Sequence, residues 1–566
     1  MDANFNGQIR NDVPPMPVRP ANAPQGNVNP QGLGPQKVNN FEDFSQQKKK
    51  LLDEKRLSNF RKYGLFSALY GLFYCLCMYK SVTGGISHTV FNIGSLIFLA
   101  LVDRMANKET CYMPGNFLKE KNGKLGVRLF YMVSIILLSI SQFLTASFAL
   151  HFFTGTGIFV LTGCLFYRSY VDSEGKNPFR IVGAVFKMIF LPFINLFEPL
   201  LGFMLFMSSR KAPDEGTIKR KQQGWLIFYG IIIAVPVVAV IIALLASADL
   251  VFSTILSSIK IDFDITDQFF DILGFIFWFF AALIGIYSIF TTLSPSAPLF
   301  RAVPEQPSKK GNPLLMIPME LILTLVYLVF CGIQFIFLLG HAELPDNYTY
   351  AEYAHEGFYQ LLFVCLINIL IATIVRSCFE KHGFLTALTM TICGCTYLMI
   401  FSSAFRMILY VQAYNLTFLR FFVLWFLAVL TVCLTILSVG LFNKNIPVAK
   451  FCLVAGTVLY MFFAFIKPDF WIAAYNVSNP VIYKGYSSED GSIRYSYDNI
   501  YITEHLSVDS VPALIMAGET DTAVEVIKNN HDYVYELNYK SVFNKVRNFN
   551  VSDFMADQLC SDYMDR

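Results

Sequence analysis

The sequence predicts an all-α integral membrane protein with about eleven transmembrane helices, one re-entrant or interfacial segment and a small mixed α/β tail. Of its 566 residues, 55% are apolar and only 15% are charged, whereas soluble domains carry roughly 25% charged residues. The mean hydropathy is +0.49. Apolar runs of about 20 residues, long enough to cross the hydrocarbon of a bilayer, recur along the chain. This composition excludes a soluble enzyme, a nucleic-acid-binding protein and a disordered scaffold.

The N-terminal segment divides into two parts. Residues 1–47 are rich in Pro, Asn and Gln and have little aliphatic bulk, so we expect a disordered tail. Residues 48–62 carry a run of lysines and arginines directly before the first apolar run. Positive charge beside a membrane span favours the cytoplasmic side, so these residues predict a basic juxtamembrane collar.

Residues 63–467 form the predicted membrane domain. One stretch within it, residues 181–208, is apolar but interrupted by Asn195, Glu198 and Pro199. A re-entrant or interfacial segment suits this stretch better than a span. The predicted spans are 63–79, 84–102, 129–147, 149–168, 224–247, 271–293, 317–340, 357–376, 384–406, 420–442 and 449–466.

The distribution of Lys and Arg between these spans predicts the topology. With the N-terminus inside, 32 of these residues lie in inside segments and 4 in outside loops. This bias follows the positive-inside rule and would be lost if residues 181–208 crossed the membrane once. We therefore expect a multi-pass protein of the cell (cytoplasmic) membrane with a cytoplasmic N-terminus and an extracytoplasmic C-terminus.

Residues 468–566 form the predicted acidic extracytoplasmic domain, with 7 Lys and Arg against 15 Asp and Glu. Alternating apolar residues over 481–502 around Glu489-Asp490-Gly491 predict a β-hairpin. From Ser507 the pattern becomes helical, and Ser510 and Pro512 are typical of a helix start. These short helices should pack on the membrane domain or on one another.

Charged and aromatic residues cluster at the predicted outer ends of the spans. A charge near the hydrocarbon edge is costly unless it is paired or hydrated, so these residues predict an ion-pair network. We prefer a structural brace between spans; the alternative is a binding site for a polar ligand or a proton path. The candidate residues are Asp249, Glu352, Arg406, Arg420, Tyr350 and Tyr410.

The sequence offers no positive sign of catalysis. It lacks a phosphate-binding Gly-x4-Gly-Lys-Ser/Thr loop and a His-Glu-x-x-His zinc motif. Cys75-x-Cys77 and Cys393-x-Cys395 lack the spacing and the His companions of a zinc site. We therefore expect no catalytic residues, no metal and no cofactor, which favours a protein that is not an enzyme.

Five runs stand out along the chain, namely Ala246-Ser247-Ala248-Asp249, Tyr350-Ala351-Glu352-Tyr353-Ala354-x-x-Gly357-Phe358, Arg406-x3-Tyr410-x3-Tyr414 with Arg420, Ile472-Ala473-x-Tyr475-Asn476 and Leu506-Ser507-x-Asp509-Ser510-Val511-Pro512. Together they resemble the signature of a bacterial family of polytopic membrane proteins of unknown function. The resemblance covers roughly residues 220–520. The family usually has Gly where Asn415 stands and a basic residue where Ala474 stands. The resemblance implies a membrane fold and location, and it implies no reaction or substrate.

Two classes of function fit these features. The first is a non-catalytic envelope protein whose outer tail and disordered N-terminus contact another membrane or envelope protein. The second is a transporter-like protein that moves a small polar or lipid-like solute, with coupling through Asp249, Glu352, Arg406 and Arg420. No inverted repeat is visible, which weakens the second class. The lipid bilayer is a partner in both classes and nucleic acid in neither.

Overall fold

The structure is a computed structural model of the chain. All packing reported below lies within the compact unit Arg56–Arg566. The residues that it describes are 39–81, 84–106, 124–170, 183, 186, 189, 190, 193, 195–209, 267–293, 310–339, 350–443, 445–480, 483–484, 495–496, 499–538 and 542–564.

Long apolar helices dominate the first part of the chain. Among the described residues, seven helices are long and apolar enough to cross a membrane, namely α4 and α6–α11 as numbered here. Apolar side chains and internally satisfied backbone groups are what a bilayer requires of a spanning segment. The helices are α1 (Asn39–Met78), α2 (Ile86–Ala106), α3 (Lys124–Leu144), α4 (Phe148–Tyr170), α5 (Glu198–Ser209), α6 (Asp267–Leu293), α7 (Ile317–Leu339), α8 (Tyr350–Cys378), α9 (Gly383–Tyr414), α10 (Phe418–Phe442) and α11 (Val448–Phe465).

Each predicted span except one overlaps one of these helices. The exception, 224–247, lies outside the described residues. Helices α2 and α3 contain shorter apolar stretches, Ile86–Leu101 and Leu129–Leu144. Helix α1 begins at Asn39, so residues 39–47, which the sequence assigned to a disordered tail, are helical; residues 1–38 lie outside the described part.

Three apolar cores hold the described membrane helices together, and one of them joins α1, α2 and α6 around Tyr287. Helices α7, α8, α9 and α10 share the first core, in which Cys365, Ala372 and Leu434 are completely buried. Helices α2, α3, α4 and α11 share the second core around Tyr131 and Leu165. Every described cysteine is a free thiol, and the buried ones pack as small apolar side chains.

The 181–208 stretch is described mainly through α5. This helix has 12 residues, so it rises only about 18 Å, less than the roughly 30 Å of hydrocarbon that a span must cross. Phe60 of α1 packs between Phe203 and Phe206, with ring centroids 5.7 and 5.6 Å away. At the start of α5, Glu198 accepts a hydrogen bond of 2.8 Å from Arg56 Nη2. Helix α5 is therefore fixed to the part of α1 that carries the basic collar.

The C-terminal part is mostly helical. Two short strands, β1 (Tyr483–Lys484) and β2 (Tyr495–Ser496), pair antiparallel, with Tyr483 opposite Ser496. They lie within the predicted hairpin, but helix resumes at Asn499. Pro512 occupies the first turn of its helix, as its sequence position predicts. The helices are α12 (Pro468–Ser478), α13 (Asn499–His505), α14 (Val511–Ala517), α15 (Thr520–Asn538), α16 (Val542–Arg547) and α17 (Val551–Met564), with a 3-10 turn at Val508–Ser510.

A single apolar core joins α12–α15 and α17 to the turn between α9 and α10. Completely buried side chains include Ile472, Ile502 and Leu514. Leu416, in the α9–α10 turn, belongs to the same core. The C-terminal helices therefore pack on one another and on the ends of the membrane helices, and we call residues 468–564 the C-terminal cap.

Candidate functional sites at the ends of the membrane helices

Arg406 lies near the end of α9 and is buried, with 7% of its surface exposed. Its Nη2 donates a hydrogen bond of 3.0 Å to Gln334 Oε1 of α7. Ser402 Oγ, one turn earlier on α9, donates to the same oxygen at 2.9 Å. An amide oxygen has two lone pairs and can accept both bonds. The Arg406 guanidinium therefore links α9 to α7 through Gln334.

Arg420, in the first turn of α10, closes the end of α9. Its Nη1 donates to the backbone oxygens of Tyr414, at 2.6 Å, and of Asn415. The last carbonyls of a helix have no partner within the helix, and a positive charge is favourable at that end. The guanidinium carbon also lies 4.2 Å from the centre of the Tyr410 ring, within the range of a cation–π contact.

A cavity of about 160 Å³ opens beside Arg420. Its polar groups come from Tyr359, Tyr410, Thr417 and Arg420, and the remaining walls are apolar. An arginine with aromatic and aliphatic walls is suited to an anionic group that carries an apolar portion. The lining residues are Phe358, Tyr359, Met407, Tyr410, Thr417, Leu419, Arg420 and Val423.

The turn between α9 and α10 is fixed by the C-terminal cap. Asn476 of α12 accepts a bond of 2.8 Å from the Leu416 amide and donates one of 2.9 Å to the Leu416 carbonyl. Tyr501 of α13 accepts the Phe418 amide at 2.8 Å. Asn415 has φ +65° and ψ 169°, a backbone conformation that is adopted essentially by glycine alone. This conformation agrees with the expectation, drawn from the resemblance, of glycine at position 415.

Asp509 is the centre of the contact between the cap and the α3–α4 turn. Its carboxylate is completely buried. One oxygen accepts bonds from Thr145 Oγ1 and, at 3.2 Å, from the Ala146 amide. The other accepts from Ser552 Oγ and forms an ion pair of 3.1 Å with Lys467 Nζ. A buried carboxylate is tolerated only with such partners, and these partners come from three separate parts of the chain: the α3–α4 turn, Lys467 and Ser552.

Asp469 lies next to this centre, in the first turn of α12. Its carboxylate accepts bonds from the Ser507 hydroxyl at 2.6 Å and the Ser507 amide at 3.2 Å. Burial raises the pKa of Asp469 to about 6, and the negative charge of Asp509 adds to this effect while the Ser507 bonds oppose it. Burial, with the charges of Asp509 and Asp557, also raises the pKa of Asp553 to about 7. Two carboxyl groups of the cap that lie close to Asp509 therefore have raised pKa values.

The backbone before α2 also lies close to the C-terminal cap and to the α3–α4 region. Asn550 Nδ2 donates to the carbonyls of Gly84, at 2.8 Å, and Thr145, at 2.7 Å. Gly84 has φ +89°, and a Cβ there would lie 2.0 Å from a ring carbon of His151. A Cβ at Gly85 would lie 2.7 Å from the Arg547 carbonyl. Only glycine fits position 84, because both the backbone conformation and the space exclude a side chain.

A match to a family model decides where the chain belongs. The model of a domain of unknown function, DUF4153, matches residues 132–517, more than half of the chain. The chain belongs to the DUF4153 family. No curated protein and no solved structure matches it.

The DUF4153 segment contains the Arg420 cavity and part of the contact centred on Asp509. Arg406, Arg420 and the cavity lie inside it, as do Thr145 and Asp509. Asn550 and Ser552 lie beyond its C-terminal end. The contact centred on Asp509 therefore joins the DUF4153 domain to the last helix of the chain.

The structure describes three of the six candidate site residues with their side chains. Tyr410 and Arg420 meet at the cavity, and Arg406 contacts Gln334. Tyr350 and Glu352 lie at the start of α8, but their side chains are outside the described part. Asp249 lies outside the described residues. A single network of all six remains a prediction.

Sequence reasoning did not select Lys467, Asp469 or Asp509 as site residues. The signal was present, because Asp509 lies within the Leu506–Pro512 run that carries the family resemblance. Its role as the centre of a contact depends on Thr145 and Ser552, which are distant in sequence and donate hydrogen bonds to it in the fold.

Proposed function

We propose that this DUF4153 protein is a non-catalytic envelope protein that holds its C-terminal cap rigidly on the membrane and presents it to a protein partner. The buried Asp509 centre carries this proposal. Three parts of the chain, each distant in sequence from Asp509, contribute its hydrogen bonds and its ion pair. Such a contact fixes a domain in one orientation, and a fixed orientation suits a surface that another protein must recognise.

The proposal includes the topology and the cellular location. Eleven spans, with 181–208 as an interfacial or re-entrant segment, place the N-terminus in the cytoplasm and the cap outside the cytoplasmic membrane. The ratio of 32 to 4 basic residues between inside and outside segments supports this orientation. The length of α5, 12 residues, supports an element that does not cross.

Exposed apolar side chains on the cap indicate where a partner would bind. Met516 is 80% exposed at the end of α14, and Ile500 is 64% exposed on α13. Phe554 and Met555, on α17, are each close to half exposed. Protein interfaces are enriched in methionine and aromatic residues, so these side chains suit a protein partner.

Photo-crosslinking in native membranes tests this function. A photoreactive residue replaces Met516 in one variant and Val329, which is 66% exposed on α7, in a matched control. We expect one discrete protein adduct from position 516 and lipid adducts alone from position 329. The proposal is wrong if position 516 gives no protein adduct while the variant is folded and inserted.

The cavity beside Arg420 favours a second candidate function. We propose as the alternative that the protein carries a lipid-like anion whose charged group contacts Arg420 and whose apolar part lies against Phe358 and Val423. Native mass spectrometry of protein from vesicles of phosphatidylglycerol tests this alternative. An Arg420→Gln variant should lose a lipid adduct that wild type retains, and equal retention by both proteins would contradict it.

A further inference from the structure

Glu320 is a carboxyl group buried within a membrane helix. It lies in the first turn of α7, inside the apolar stretch Ile317–Gln334, and has no exposed surface. Ionisable side chains at such positions are rare, and they mark functional sites more often than other buried residues do. Neither group of contacts at the helix ends includes Glu320.

The hydrogen bonds around Glu320 fit a protonated carboxyl. Thr389 Oγ1 of α9 lies 2.8 Å from Glu320 Oε2 and also 2.8 Å from the Leu385 carbonyl. A threonine hydroxyl has one proton, and a carbonyl oxygen can only accept. If Glu320 is protonated, it donates to Thr389, and Thr389 donates to Leu385, so both short contacts are hydrogen bonds. An ionised Glu320 would instead compete with Leu385 for that one proton.

No cation balances this carboxyl in the described part of the chain. Its second oxygen, Oε1, is buried without a hydrogen-bond partner among those residues. The titratable group that faces it there is the Cys393 thiol, one turn beyond Thr389. A carboxylate without a counter-charge is strongly disfavoured in a low-dielectric interior, and such a group takes up a proton.

Glu320 also begins a polar face of α7 that runs along the helix. Thr324, Tyr327 and Gln334 follow at the spacing that places residues on one side of a helix. Tyr327 donates to Asn368 Oδ1 at 2.7 Å, and Asn368 donates to Thr396 at 3.0 Å. Glu320 and Gln334 are 14 residues apart, which is about 21 Å along the axis. Polar side chains therefore recur on one side of α7 between Glu320 and Gln334, in contact in part with polar groups of α8 and α9.

We propose that Glu320 is a proton-binding site of the membrane domain and holds its proton at neutral pH. The proton lies on Oε2 and is shared with Thr389, which donates its own proton to the Leu385 carbonyl in a hydrogen bond. The proposal is independent of the partner-binding function of the cap, because it concerns different helices and different residues.

Infrared difference spectroscopy of the protein in lipid vesicles tests the proposal. At pH 7.5 an ordinary glutamate is protonated in roughly one molecule per thousand, so a carboxylic-acid band at that pH requires a buried site. We expect the wild-type spectrum to contain such a band that is lost in Glu320→Gln and retained in Glu380→Gln, a matched change of an exposed carboxyl. If wild type and Glu320→Gln show the same acid bands, Glu320 is ionised and the proposal is wrong.

Two further arms keep the result interpretable. Thr389→Val removes the acceptor of the proposed proton, so the band should shift in frequency while its intensity is kept. This variant replaces Glu320→Gln if the latter does not fold; an unshifted band would then overturn the assignment. Loss of the wild-type band when sodium replaces choline in the buffer would identify a sodium site, which would also overturn the proton assignment.

Discussion

Replacing Asp509 with alanine should detach the C-terminal cap from the α3–α4 turn. The change removes both acceptor oxygens and leaves Thr145, Ser552 and Lys467 without this partner. Breaking a buried ion pair by removing one member costs about 3–5 kcal/mol. We expect the lower end, about 3 kcal/mol, because the Lys467 side chain is 31% exposed and water can solvate it.

Hydrogen exchange of the protein in lipid nanodiscs measures this loss directly. A change of about 3 kcal/mol in local opening corresponds to roughly two powers of ten in the exchange rate of protected amides. The faster exchange should be confined to residues 142–151 and 545–556, which meet at Asp509. Residues 390–400 of α9 should exchange as in wild type and serve as the internal control.

Two variants make the Asp509 result specific. Asp521→Ala removes an exposed carboxyl of the same cap and should change stability by less than about 0.5 kcal/mol. Lys467→Ala combined with Asp509→Ala should cost less than the sum of the two single changes, since the partners interact. If Asp509→Ala exchanges like Asp521→Ala in both windows, the docking argument is refuted.

Two other perturbations have defined outcomes. Gly84→Ala should lower the melting temperature strongly, because left-handed backbone strain of about 1 kcal/mol adds to the steric contact with His151. The control Gly285→Ala, whose Cβ would meet no atom within 4 Å, should raise the melting temperature or leave it unchanged. Equal shifts in the two variants would show that the close approach at Gly84 is absent. The Asp469 pKa of about 6 exceeds its ordinary value of 3.8, so its contribution to stability is complete below pH 4 and falls by about 3 kcal/mol as pH rises through 6. The free energy of unfolding of Asp469→Asn, measured by denaturation at several pH values, should lose that pH dependence. Glu525→Gln, an exposed control, should keep it. An unchanged pH profile in Asp469→Asn would assign the dependence to another group.

The membrane helices could be predicted because an apolar run of about 20 residues is by itself a sign of a segment that lies in the hydrocarbon of a bilayer. Hydropathy does not report where a helix ends, however. The first predicted span begins at residue 63, where the apolar run begins, but α1 begins at Asn39 and continues through the basic collar. Charged residues such as Lys and Glu are good helix formers in water, so the helix extends beyond the part that a membrane would cover.

The contacts of the cap could not be predicted because they join distant parts of the chain. Thr145 and Asp509 are 364 positions apart, and periodicity carries no information about such pairs. Arg420 shows a different limit. Counting charges predicted a carboxylate partner, whereas its described partners are two backbone carbonyls and the Tyr410 ring. Backbone groups at a helix end attract cations, but they are not visible in a sequence as charges.

The position of the C-terminus relative to the membrane tests the central claim most directly. A dual reporter is fused after Arg566 and, as a control, after Lys450. Its alkaline phosphatase part is active only outside the cytoplasm, and its fluorescent part is active only inside. The account predicts an extracytoplasmic signal at Arg566 and a cytoplasmic one at Lys450. In the proposed topology, eleven spans lie between a cytoplasmic N-terminus and the cap, and the 32-to-4 distribution of basic residues supports that orientation. A cytoplasmic signal at Arg566 would contradict it and would mean that residues 181–208 cross the membrane or that one of the spans does not.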